Sequence, residues 1–71
     1  MDYRLLADSA VLAGEIMLTN GAETYIVEDT INRILKTEKM KHAESVVLVT
    51  MIVATISNPD MDPITVIRHD L

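Results

Sequence analysis

The sequence predicts an α+β domain, an antiparallel helix hairpin followed by a β-hairpin in the order α-α-β-β. Three observations predict it. Apolar residues at helical spacing fill the first half, Asn20-Gly21 interrupts them, and a long β-branched run opens the second half. At 71 residues and 7.9 kDa the chain makes one small domain, not two. A domain of this size hides only about 60% of its unfolded surface, so its core is marginal. Cysteine, Phe and Trp are all absent, and the core must be built from aliphatic residues and methionine.

The first helix is predicted over residues 3–18. Leu6, Ala10, Ala13 and Met17 recur at spacings of four, three and four and share one face. Leu5, Leu12 and Ile16 widen the stripe, while Arg4, Asp8 and Glu15 mark the wetter side. Asp2 is placed to cap the helix, because its carboxylate can accept from the free amides of the first turn. Asn20-Gly21 ends it, since both residues tolerate the left-handed conformation that closes a helix.

A second helix is predicted from Ala22 to Glu38 or Lys39. Ile26 or Val27, then Ile31, Ile34 and Leu35, form its buried stripe. Glu23, Glu28 and Asp29 lie early, and Arg33, Lys36 and Lys39 lie late, which complements the helix dipole at both ends. So short a connection makes the two helices antiparallel neighbours.

From Ser45 to Ile56 the composition becomes that of a strand, and both alternating faces are apolar. A strand hydrophobic on both sides is expected to be buried on both sides. Residues 57–63 supply a turn through Asn58-Pro59 and Asp62-Pro63. Residues 64–69 return as a shorter strand. Two helices cover one face of such a hairpin and leave the other face, and the strand edges, open. The sheet is therefore expected to be completed by a partner or by further chain, with residues 1–71 a piece of something longer.

Six basic residues against eleven acidic ones give a net charge of -5. That repels phosphate backbones and excludes nucleic acid as a partner, and it disfavours charge-driven attachment to anionic lipid. No stretch approaches the roughly 18–20 apolar residues of a spanning helix, and no secretory signal is present. The piece is thus expected to be soluble. No metal or cofactor is expected either. His42 and His69 are isolated, Asp60 and Asp62 lack the remaining ligands of a calcium loop, and two glycines cannot build a phosphate cradle.

The densest polar cluster is Gly21, Glu23, Thr24 and Tyr25, with Glu28 and Asp29 one turn later. Free amides in the first turn of the second helix can grip an anion, and the two later carboxylates can hold a cation or serve as acid and base. The plainer alternative is that the acids satisfy the dipole and Gly21 only makes the turn. These six residues are the candidate ligand-binding patch. No catalytic residue is assigned, because no histidine lies near them to activate a hydroxyl.

The run from Ala13 through Gly21-Ala22-Glu23-Thr24-Tyr25 to Val27-Glu28-Asp29-Thr30 and Ile34 resembles the signature of the threonine/serine exporter-like proteins, the ThrE/YjjP group. Val49-Thr50 through Ser57, then Ile64-Thr65 and Arg68, is similar to that group's following strands. The likeness covers residues 5–68. It departs where the group usually carries Pro-Thr-Gly after Val-Thr and this chain has Met51-Ile52-Val53. The resemblance implies an N-terminal cytosolic domain preceding transmembrane helices, on the cytoplasmic side of the cell membrane. It implies export of threonine and serine, or of a dicarboxylate such as succinate alongside a small YjjB-type membrane subunit. For this piece the implied role is regulation, assembly or substrate gathering, with the membrane-embedded remainder as its partner. Two other readings stay open. One is a homo-oligomerisation module that pairs exposed strand edges; the other is a remnant hydrolase with Glu23 or Asp29 as base and Thr24 as nucleophile.

Overall fold

The computed structural model describes residues 2–36 and 40–69. Two helices, α1 (Tyr3–Thr19) and α2 (Thr24–Leu35), precede three strands, β1 (His42–Leu48), β2 (Met51–Asn58) and β3 (Met61–His69). The strands form one antiparallel sheet in the order β1-β2-β3. The α+β class stands, with one strand more than the sequence predicts. The expected end of α2 at Glu38 or Lys39 lies outside the described residues, and the helix closes at Leu35.

Helix α1 begins and ends for local reasons. Asp2 Oδ1 accepts the Leu5 amide at 3.0 Å. At the other end the Gly21 amide donates to the Leu18 carbonyl at 3.1 Å and the Ala22 amide to Met17 at 3.0 Å. That paired closure needs a left-handed residue, and Gly21 provides it at φ 94°. Met17 and Ala22 each pack against the core. The second glycine acts by its size. A methyl group at Gly14 would lie 2.6 Å from Ile31 Cδ1 and 3.1 Å from Val27 Cγ1, so the absent side chain sets the closeness of the helices.

The predicted strand from Ser45 to Ile56 is two strands. The chain reverses at Val49-Thr50, pairing Leu48 with Met51, Val46 with Val53 and Ala43 with Ile56. A two-residue hairpin connection usually carries Asn-Gly or Asp-Gly, and Val-Thr announces nothing of the kind. The reversal also explains the doubly apolar run. Val47, Ile52, Ala54 and Ile56 face the helices and are buried, whereas Val46, Leu48 and Val49 are exposed. Burial on both faces is therefore not what the fold provides. Replacing Val49-Thr50 by Asn-Gly should raise stability by about 0.5–2 kcal/mol. Thermal unfolding checks this, and an unchanged or lower midpoint would show that the turn is not of the primed type.

The β2–β3 connection follows the opposite logic. Pro59 fixes φ near −65°, which the primed hairpin turns forbid at their first position. The register slips between Ile56 and Asn58, and this irregularity accommodates the proline. Asn58 also accepts the Lys41 amide through Oδ1 at 2.8 Å, tying the start of β1 to the end of β2.

The core lies between the helix pair and the inner sheet face. Val11 from α1, Val27, Ile31 and Leu35 from α2, Met40, and Ile52 and Ile56 from β2 are its largest fully buried side chains. No polar or charged side chain is buried among the described residues.

Candidate functional site

The six candidate residues lie on the α1–α2 turn and the first half of α2, but they do not converge. Gly21 makes the turn, and a Cβ built on it would meet no other side chain or backbone within 4 Å, so only its positive φ disfavours a side chain there. Glu23 is the residue before α2, and its carbonyl accepts the Ile26 and Val27 amides at 3.0 and 3.1 Å. Its carboxylate makes no capping bond and is exposed. Thr24 is half-buried, and Tyr25 is 67% exposed despite being one of only two aromatics.

Glu28 and Asp29 are neighbours in sequence with different partners. Glu28 Oε2 accepts the Val47 amide at 2.8 Å, so the carboxylate caps an outward-pointing donor on the edge of β1. One turn later Asn32 Oδ1 accepts from Ser45 Oγ at 3.0 Å. Ser45 Oγ also lies 3.4 Å from the Glu28 carbonyl. Together they form a polar seam that fastens α2 to an edge strand and shields part of that edge from pairing. Asp29 points away and pairs with Arg33 at 3.0 Å on an exposed face of the helix. Such a pair contributes little, about 0.3–0.5 kcal/mol.

Helical geometry accounts for the split. Residues 28 and 32 follow the side of α2 that runs along β1, whereas residue 29 is rotated about 100° from residue 28. The seam was missed in the sequence because Asn32 and Ser45 look unremarkable alone; only the pairing of α2 with β1 makes them partners. A second tie was missed for the same reason. Arg68 on β3 reaches Glu15 on α1 at 3.0 Å, both side chains being partly buried.

An open cleft of about 380 Å³ lies at the opposite end of α2, lined by Lys36, Lys41, His42, Glu44, Thr55 and Ser57. Lys36 is the C-cap of α2, where the helix dipole favours a cation. Among the described residues no three His, Asp or Glu side chains gather as a metal site would require. The arrangement at the start of α2 is thus a turn and a helix end fixed from beneath, with Glu23 and Tyr25 presented to solvent.

The family model described as "Putative threonine/serine exporter" matches residues 8–70. The chain belongs to the threonine/serine exporter family, ThrE. No curated protein and no solved structure matches it. ThrE is a family of membrane exporters, and among the described residues no helix is long and apolar enough to cross a membrane. The match takes in both helices from Asp8 onward and all three strands, so the turn, the seam and the exposed pair belong to the ThrE portion of the chain.

Proposed function

We propose that this chain is the extramembrane domain of a ThrE exporter, lying on the cytoplasmic side of the membrane. There it serves regulation, assembly or substrate gathering rather than translocation itself. One observation carries the reading: the family match runs across a compact α+β unit whose described helices are too short or too polar to span. A pathway through lipid needs spanning helices or a closed barrel, so transport would reside in other parts of the exporter. The cargo would be threonine and serine, or a dicarboxylate in exporters built with a second membrane subunit.

Within the domain, Glu23 and Tyr25 are the residues proposed to meet a partner surface or the cargo. Both are exposed, and neither carboxylate nor ring is needed to hold α2 in place. In the full-length exporter, the double substitution Glu23→Ala, Tyr25→Ala should lower threonine efflux several-fold at unchanged membrane abundance. Efflux at the wild-type rate would remove the patch from the mechanism.

A further inference from the structure

The α1–α2 turn carries an inference that is independent of the exporter reading. The chain holds three asparagines and no glutamine, so only three side-chain amides are open to deamidation. Their neighbours rank them. Asn58 precedes Pro59, whose nitrogen has no hydrogen to give up. Asn32 precedes Arg33, whose side chain crowds the approach to its amide. Asn20 precedes Gly21, which has no Cβ to stand in the way. Asn20 and Gly21 are also both exposed, so water reaches them. We propose that Asn20 is a site of spontaneous, succinimide-forming modification, gated by the hydrogen-bonded closure of α1.

The reaction needs only water. The Gly21 nitrogen gives up its proton to solvent and attacks Cγ of Asn20. The new N–Cγ bond closes a five-membered imide, the Cγ–Nδ2 bond breaks, and Nδ2 takes a proton from water and leaves as ammonia. One water molecule then opens the ring. Opening at the side-chain carbonyl gives aspartate, and opening at the backbone carbonyl gives isoaspartate.

Three features of the folded chain hold the reactants apart. The Gly21 amide proton is donated to the Leu18 carbonyl at 3.1 Å. Asn20 Nδ2 donates to the Ile16 carbonyl at 2.7 Å, which pins the carboxamide along the helix end. Ring closure also needs the Gly21 nitrogen eclipsed with Cβ of Asn20, a ψ of about −120°, whereas Asn20 sits at ψ 14°. All three yield together when the last turn of α1 frays, and helix ends open at small cost. The products do not restore the closure. Isoaspartate lengthens the main chain by one methylene, so the Gly21–Leu18 and Ala22–Met17 bonds cannot both re-form in the same register. Aspartate loses the donor to Ile16 and adds a negative charge at the negative end of the helix. Either way the turn from which α2 starts is loosened, just ahead of the exposed Glu23 and Tyr25.

Peptide mapping by mass spectrometry tests this on the 71-residue chain in mildly alkaline buffer, folded and in urea concentrated enough to unfold it. In urea Asn20 should outpace Asn32 and Asn58, with isoaspartate exceeding aspartate, and Gly21→Ala should slow the conversion several-fold. In the folded chain Asn20 should convert at least about tenfold more slowly. That retardation should agree, within about threefold, with the protection of the Gly21 amide against hydrogen exchange, because one opening frees both. Asn20 no faster than the other two in urea, or conversion to aspartate alone, would remove the succinimide route. A folded chain that converts at the urea rate, or a retardation unrelated to the Gly21 protection, would remove the gate and overturn the proposal.

Discussion

Ile31→Ala should lower the unfolding free energy by about 2–5 kcal/mol. Ile31 is fully buried at the centre of α2 and fills the space that Gly14 leaves on α1. Removing three carbons loses their transfer energy and opens a cavity that two close helices cannot collapse into. A chain of 71 residues has only about 4–11 kcal/mol in total, so the variant would lose from about a fifth of its stability to all of it. Urea denaturation at 25 °C reads this directly, and an unchanged midpoint would contradict the buried placement. The same contact has a second signature. Gly14→Ala should cost about 1–3 kcal/mol by overpacking, because its new methyl meets Ile31 Cδ1 first. Ile31→Val deletes that atom. The double variant Gly14→Ala, Ile31→Val should therefore lose less than the sum of the two single losses.

Glu28→Ala is the second large effect, about 1.5–3 kcal/mol, the range for a hydrogen bond to a charged group. It leaves the Val47 amide without its protein acceptor and loosens α2 from β1 beside the Ser45–Asn32 bond. In a domain this small, that corresponds to a fall in midpoint of about 4–8 °C for each kcal/mol. Glu28→Gln keeps an acceptor oxygen at the same reach and should recover most of the loss. Equal losses in both variants would show that charge, not the bond to Val47, is what matters. Thermal unfolding of the three proteins decides between them.

The two helices were legible because their signals are local. Asp2 caps, Asn20-Gly21 closes, and the apolar spacing in between repeats at the helical period. The β1–β2 turn was not legible because Val49 and Thr50 are strand formers, with no Gly, Asn or Asp to supply the usual hairpin chemistry. Met51-Ile52-Val53, β-branched and apolar, continues the strand composition past the turn and conceals it. The continuous apolar run predicts one doubly buried strand, whereas it forms two strands that each turn one apolar side outward. The surplus of apolar surface was readable all the same, and it lies on the outer sheet face.

The candidate patch was legible as a location, and its division was not. Sequence places Glu28 and Asp29 side by side, and only the packing of α2 along β1 separates a structural carboxylate from one paired with Arg33. The role proposed for Glu23 and Tyr25 rests on their exposure, which the sequence does not announce.

Thermal stability and threonine efflux, measured together for Glu23→Ala and Glu28→Ala in the full-length exporter, probe most directly the division of α2 into a fastening side and a presenting side. Glu23→Ala should cost the domain no more than the dipole contribution of about 0.3–1 kcal/mol, a smaller fall in melting temperature than Glu28→Ala gives, while lowering efflux. Glu28→Ala should lower the melting temperature by several degrees. A stable domain with wild-type efflux for Glu23→Ala, or an unaltered melting temperature for Glu28→Ala, would contradict that division.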